Sequence, residues 1–488
     1  MAVKLVIKDE VNIKLENLPL DARKKLANAF KFEVGYARYH PAFKLGRWDG
    51  MVSLFGLGGN GYLSQLESIL EILSKMKISI DEVEDLRTTQ KIEFEPVTET
   101  YWADQGKVWP KGHPEEGKPI LLRDYQIDAI NTFLTNTQAL QEIATGAGKT
   151  ITTATLSQLA EKYGRTITIV PNKSLVEQTE EDFINVGLDV GVYYGDRKDL
   201  NKTHTICTWQ SLNILDKKSK NHEHDIVTLA EFLDGVRTVI VDEVHMAKAE
   251  VLKNLLTQNL CNAAIRWGLT GTVPKEKYEY EQIFASIGPV VGGIKAHELQ
   301  EKGVLSTCHV NVVQMVDIQE FRAYSDELKY LVTDEDRMIY ISKLIKGIAE
   351  SGNTLVLVNR IDSGKFLINE IEDAVFISGA VKTVDRKEEY DEIKTSDNKI
   401  IVATYGVAAV GINIPRIFNL VLLEPGKSFV RVIQSIGRGI RKAQDKDFVQ
   451  IWDITSTCKY AKRHLTERKK FYKDAKYPFT ITKTDWQK

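Results

Sequence analysis

The segment Ala144-Thr145-Gly146-Ala147-Gly148-Lys149-Thr150 lies between an apolar run, Ala139 to Ile143, and a stretch of helical spacing. No other feature narrows the fold as much. A strand, a glycine-containing loop and a helix in that order make a phosphate cradle. The glycines let the backbone close around an anion, and amide N–H groups at the helix N-terminus point towards it. In such a loop Lys149 reaches the β- and γ-phosphates and the Thr150 hydroxyl ligates Mg2+. The spacing G-x-x-x-x-G-K-[ST] departs at one place, because its first glycine is Ile143 here. Taken alone, the loop is also compatible with a turn that happens to contain Gly-Lys-Thr.

Thr238-Val-Ile-Val-Asp242-Glu243-Val-His245 adds a second element. It has the pattern of a buried strand ending in two carboxylates, and unpaired buried charge is costly. Asp242 suits a Mg2+ water shell, and Glu243 suits orientation or deprotonation of an attacking water. His245 alone is an ordinary surface histidine; directly after Asp-Glu-Val it becomes a candidate for coupling this site to a later motif.

The runs 166–170, 238–241, 354–358, 399–402 and 419–423 are rich in β-branched residues without polar alternation. Such runs fit parallel strands covered on both faces, and their division near residue 300 predicts two α/β domains. The expected organisation is an N-terminal α/β module at 1–95, a Pro- and Gly-rich linker at 96–118, domains at 119–298 and 299–456, and a basic helix or tail at 457–488. In the first module, helices are expected over Leu20 to Phe32, with Leu20, Leu26, Ala29 and Phe30 as the apolar stripe, and near Leu63 to Met76.

No apolar run reaches the ~20 residues of a membrane span, the N-terminus lacks a signal-peptide core, and Cys207, Cys261, Cys308 and Cys458 form no metal-type pair. A reduced, cytoplasmic protein without zinc is expected. Net charge is −2, but residues 459–488 carry ten Lys or Arg against three acids. That surplus suits phosphate contacts and equally suits a solvated helix face.

With these motifs in order, the chain resembles the superfamily-two helicases, whose motif II is spelled Asp-Glu-Val-His here. The resemblance implies two tandem RecA-like (P-loop) parallel-sheet domains sharing an ATP site. Leu122-Arg123-Asp-Tyr-Gln126 resembles the Q motif, which assigns Gln126 to the adenine edge with Arg123 beside it. Gly268-Leu-Thr270-Gly-Thr272 resembles motif III, which couples hydrolysis to domain movement. Ala403-Thr404-Tyr-Gly and Gly411-Ile-Asn-Ile-Pro415 resemble motif V, with Asn413 where the family has an acid. Gln434-Ser-Ile-Gly-Arg438-Gly-Ile-Arg441 resembles motif VI. Arg438 and Arg441 share a helix face, and the family supplies both to the γ-phosphate, where planar, permanently charged guanidinium groups suit developing charge. ATP with Mg2+ is the implied substrate and cofactor. Thr145 to Thr150 and Gly411 belong to the implied nucleotide-binding set.

For the nucleic-acid track, Pro171, Asn172 and Lys173 resemble motif Ia, and Thr208-Trp-Gln210 resembles the later strand-contacting motif. In the second domain Asn359, Arg360, Ser378, Gly379 and Thr404 occupy the matching loops. Family members hold the phosphodiester backbone there without reading sequence, although each residue singly also suits a loop cap.

Residues 32–50, an aromatic and basic stretch ending in Gly46-Arg-Trp-Asp-Gly50, resemble the N-terminal domain of phage UvsW-type helicases. That resemblance covers nearly the whole chain. It implies a phage recombination, replication and repair helicase acting on branched DNA in the host cytoplasm, with a small duplex-binding module. Arg38, Lys44 and Arg47 are its candidate phosphate contacts. Tyr36, Tyr39, Phe43 and Trp48 are expected mostly in the module core, and Asp49-Gly50 in a turn. The readings left open are an RNA helicase, a restriction translocase subunit, and a DNA-structure binder with a vestigial motor. Residues 316–345 and the basic tail are both candidates for a strand-separating element. Polarity, preferred junction and oligomeric state are not set by the sequence.

Overall fold

The computed structural model describes residues 2–88, 90–111, 113, 115–223, 227–246, 249–377, 396–407, 416–428, 432, 435–437, 439–440 and 445–487, and the side chains of Met246 and Ala249 are not described. Two compact units emerge: residues 1–143 with 148–293, and residues 144–147 with 294–488.

The first unit contains two sheets of note. The N-terminal one runs, across its width, Asn60–Tyr62, Asn12–Glu16, Lys4–Ile7 and Glu82–Asp85. The helices Leu20–Ala29 and Leu66–Lys75 belong to the same module. The buried stripe of the first helix is Ala22 and Leu26, continued by Phe30. Leu20 and Ala29 are exposed, so the expected stripe is displaced on the helix surface. The module shares its core with its neighbour: Tyr278 and Ala285 belong to one cluster with Leu5, Ile13, Leu26, Phe55 and Ile69. Side-chain amides also bond main-chain carbonyls across the boundary, from Asn12 Nδ2 to Thr257 and from Gln138 Nε2 to Glu10.

The larger sheet has eight strands, in the order Arg197–Lys198, Val190–Tyr194, His204–Thr208, Arg165–Val170, Val236–Asp242, Ile265–Thr270, Gln138–Ile143 and Val290–Ile294. The central pairs are parallel. Ile167, Ile169, Val239, Ile240, Val241, Ile265 and Leu269 are all but fully buried, which is why these strands lack polar alternation. The 96–118 segment is built into this unit. Trp102 is fully buried and its Nε1 donates to Thr155 Oγ1 at 2.9 Å, on the helix Lys149–Ala160. Leu122 N–H then bonds the Glu99 carbonyl. Its Pro and Gly content marks irregular backbone, but one buried indole holds the segment in place.

The second unit carries a seven-stranded sheet in the order Val375–Ile377, Ile400–Thr404, Thr354–Val358, Asn419–Leu423, Phe448–Ser456, Thr307–Met315 and Phe479–Thr484. Its strand pairs are parallel. Residues 457–488 are therefore no separate tail. The helix Lys459–Asp474 packs on this sheet, and Phe479–Thr484 is its last strand. Arg468, counted among the tail's basic residues, is buried and bidentate to Asp453, at 2.8 and 2.9 Å. The Tyr472 hydroxyl donates to the same carboxylate. No helix among the described residues is long and apolar enough to cross a membrane.

Candidate functional site

The strand Gln138–Ile143 ends in the core at Ile143, and the helix opens at Lys149. Between them Gly146 and Gly148 have φ of +89° and +78°, a region that side chains other than glycine adopt at a cost. At Gly148 a Cβ would also lie 2.5 Å from Gln126 Nε2. The Q-motif glutamine is thus seated directly against the phosphate loop. Gln126 is buried, and its Oε1 accepts from the Arg123 N–H at 2.9 Å. Gly146 and Gly148 keep the turn free of Cβ atoms there, which suits the approach of a phosphate.

Lys149 extends from the helix N-terminus to the end of the strand Val236–Asp242. Its Nζ lies 2.5 Å from Glu243 Oε1 and 3.9 Å from Asp242 Oδ1, and all three side chains are about nine-tenths buried. Burial pushes the Asp242 carboxyl up to about 6, against the lowering influence of Lys149. A divalent cation at this carboxylate would offset the desolvation that raises its pKa. Glu243 holds φ of +49°, a strained conformation for a side-chain-bearing residue, which directs its carboxylate back over the Lys149 ammonium.

The same carboxylate faces the motif III segment. Its Oε2 accepts from the Gly271 N–H at 3.3 Å and lies 3.6 Å from His245 Nδ1. His245 Nδ1 meets Thr270 Oγ1 at 2.5 Å. Thr270 Oγ1 donates to the Thr272 carbonyl at 2.9 Å and accepts from the Thr272 N–H. With its one proton spent on that carbonyl, the Thr270 hydroxyl accepts from His245, which places a proton on Nδ1. His245, Thr270 and Thr272 thus form one hydrogen-bonded set, and Glu243 reaches the same segment through the Gly271 N–H and stands 3.6 Å from His245.

Asp182 was not foreseen. It lies on the helix Lys173–Asn185, where burial pushes its carboxyl up to about 6, against the lowering influence of the nearby Thr150 hydroxyl. The available signal was an acid three residues after Thr179, on the helix face that carries Val176, Thr179 and Phe183 inward.

The strand-contacting candidates of the first unit meet at the ends of two adjacent parallel strands, where Val170 pairs with Thr208. Asn172 caps the helix Lys173–Asn185 through a bond from Leu175 N–H, and Thr208 caps the helix Trp209–Lys220 through one from Ser211 N–H. Gln210 Nε2 donates to the Pro171 carbonyl at 2.9 Å. Lys173 is exposed beside Glu177. Two helix N-termini thus open side by side, with amides suited to phosphate. In the second unit Val358 pairs with Thr404, so Asn359, Arg360 and Thr404 gather at one strand end. Asn359 Nδ2 donates to the Glu424 carbonyl. Ser378, Gly379, Gly411, Gln434, Arg438 and Arg441 lie outside the described residues.

In the N-terminal module Arg38, Lys44 and Arg47 are exposed. The aromatic residues between them are not core: Tyr36 is 50% exposed, Tyr39 79% and Phe43 36%. Only Trp48 is partly buried, its Nε1 bonded to the Met51 carbonyl. Asp49-Gly50 is the expected turn, with Gly50 at φ +77°.

Residues 119–275 match the family model for the type III restriction enzyme res subunit, and residues 336–443 match that for the helicase conserved C-terminal domain. The chain is 24% identical over 472 residues to the ATP-dependent DNA helicase uvsW of Enterobacteria phage T4, covering 92% of this chain and 89% of that protein. The chain belongs to the superfamily-two DNA helicases. This helicase is also 23% identical over 381 residues to the DNA 3'-5' helicase XPB of Kineococcus radiotolerans, spanning 75% of this chain and 65% of that one. Among solved structures, the ATP-dependent Type ISP restriction-modification enzyme LlaBIII bound to DNA shares the fold. The TM-score is 0.57 with 16% identity, over 86% of this chain and about a third of that one, 34%. The two tandem parallel-sheet domains are thus RecA-like, and the helicase is an ATP-dependent enzyme.

Proposed function

We propose that this helicase hydrolyses ATP with Lys149, Asp242 and Glu243 to drive a motor that remodels branched DNA in phage recombination, replication or repair. The observation that carries the hydrolytic part is the Lys149–Glu243–His245–Thr270 set. It places a cation for phosphate against a carboxylate for water, and that carboxylate beside the His245–Thr270 pair that links to motif III. The loop amides and Lys149 hold the β- and γ-phosphates, and Gln126 and Arg123 stand on the adenine side. Thr150 and Asp242 would hold Mg2+, which would supply positive charge to offset that of the phosphate oxygens. Glu243 orients the attacking water and takes its proton. Gln434, Arg438 and Arg441 are assigned to the γ-phosphate by resemblance.

The branched-DNA part is supported by a relative matched over 89% of its length, N-terminal region included. The exposed Arg38, Lys44 and Arg47 of the N-terminal module add to it. Asn172, Lys173, Thr208, Gln210, Asn359, Arg360 and Thr404 are assigned to the tracking strand's phosphates, and the host cytoplasm is the place of action. The test is ATPase stimulation across single-stranded, duplex, forked and four-way-junction DNA with matched RNA. Greatest stimulation by forks and junctions is expected. Stimulation by RNA alone would replace the DNA assignment.

A further inference from the structure

Two segments of the second unit that carry no helicase motif meet at one surface. Tyr324 opens the helix Tyr324–Thr333, and Tyr460 and His464 lie one turn apart on the helix Lys459–Asp474. The Tyr324 ring meets His464 edge-on at a centroid distance of 4.9 Å and Tyr460 at 6.1 Å.

The cluster is rigidly held. Glu327 is buried, and its two carboxylate oxygens accept the N–H groups of Tyr460 and Ala461 at 3.0 and 2.7 Å, which ties one helix to the start of the other. Leu331, Val332, Cys458 and Ala461 form an apolar core of their own where the two helices join. The Tyr460 hydroxyl donates to the Arg322 carbonyl at 2.7 Å, and Arg468 donates to the Gly426 carbonyl at 2.7 Å. Tyr324 nevertheless remains 41% exposed. Packing alone does not require a tyrosine there, because the apolar residues of the join are already buried.

The surroundings are cationic. Arg322, Lys427, Lys459 and Arg463 are exposed, and Lys459 Nζ lies 5.6 Å from the Tyr460 ring centre. Of the nearby acids, Glu327 is spent on the two N–H groups and Glu467 pairs with Lys470, which leaves exposed Asp326 against these four cations.

Position adds to chemistry. The sheet is parallel, so its strands end at one edge. Asn359, Arg360 and Thr404 follow Thr354–Val358 and Ile400–Thr404. The aromatic cluster follows Phe448–Ser456 and Thr307–Met315, and Gly426 and Lys427 follow Asn419–Leu423. The two sets are separated along that edge by two to four strand spacings, ~10–20 Å.

We propose that Tyr324, Tyr460 and His464 form the stacking edge at which the tracking DNA strand parts from its complement, receiving the first unpaired base at the junction. The inference rests on the DNA-motor reading. Every base has a π-face, so such a platform is sequence-tolerant, and the flanking cations hold the adjoining phosphates. It also unites the two regions that sequence offered as separate candidates for strand separation.

The test compares the full-length protein with Tyr324→Ala and Tyr324→Phe, using oligo-dT for ATPase and a forked duplex for unwinding. Tyr324→Ala is expected to keep oligo-dT-stimulated ATPase within about twofold and to unwind the fork ~10-fold more slowly, within the range of one base–aromatic stack. Tyr324→Phe should restore unwinding. A 2-aminopurine placed as the first unpaired base should be quenched by the wild type and not by Tyr324→Ala. Unwinding by Tyr324→Ala equal to wild type, with equal quenching, overturns the proposal. So does parallel loss of ATPase and unwinding, which would assign Tyr324 to the fold or to the general strand grip. A wild-type ATPase that responds to no DNA removes the motor reading itself, and the platform with it.

Discussion

Lys149 Nζ and Glu243 Oε1 stand 2.5 Å apart, 94 residues distant in sequence, and the second carboxylate oxygen of Glu243 faces motif III. Nucleotide and Glu243 therefore compete for the same ammonium. Phosphate oxygens that draw Lys149 away leave the Glu243 carboxylate without its cation, and a carboxylate so released is a better base. Lys149→Ala should lose ATP binding as well as turnover, measured by nucleotide titration and ATPase.

His245→Ala removes the partner of Thr270 but none of the groups assigned to phosphate. We expect ATPase to fall less than about fivefold and DNA unwinding to fall at least ~10-fold, the coupling energy of a 1–2 kcal/mol link. Equal losses in both would place His245 in hydrolysis rather than coupling.

Arg266 is fully buried. Its guanidinium donates to the main-chain carbonyls of Leu256, Leu260, Ala263 and Ser286. Burial brings its pKa down to about 10. Arg266→Met should destabilise the protein by about 3 kcal/mol or more, because several buried carbonyls lose their donor. The midpoint of chemical denaturation measures this.

His464 has its pKa pushed down to about 4, by burial first and then by Arg468, Lys427 and Arg463. The unfolded chain binds a proton there more readily than the folded one. The contribution to stability is thus fully present above about 6.5 and is lost as pH falls towards about 4. His464→Asn should flatten the fall in melting temperature across that window, read by thermal denaturation at a series of pH values.

Arg38, Lys44 and Arg47 replaced together by Ala should weaken duplex binding and lower the slope of log affinity against log salt by about 2–3, as expected for three lost phosphate contacts. An unchanged slope would remove them from the DNA interface.

The core of the fold was legible because its signals are local. Residues 166–170, 238–241 and 354–358 must be strands covered on both faces, and the turn at Gly146 and Gly148 needs residues without a Cβ. What was not legible depends on partners remote in sequence. Charge counting counts Arg468 towards a basic tail, whereas Asp453 pulls it inside. Proline and glycine content makes 96–118 a linker, whereas Trp102 finds Thr155. General burial preference puts Tyr36, Tyr39 and Phe43 in the core, but that module's core is closed by Tyr278 and Ala285 from another part of the chain. Asp182 is remote in sequence from Thr150, and only the packing of the helix Lys173–Asn185 against Lys149–Ala160 brings them near.

The most direct measurement is conversion of a synthetic four-way DNA junction to duplex products, by wild type and by Glu243→Gln, with and without ATP. The wild type should convert the junction only with ATP, and Glu243→Gln should bind both junction and ATP yet leave the junction intact. Normal conversion by Glu243→Gln, or a wild type that hydrolyses ATP without moving the junction, would contradict the account.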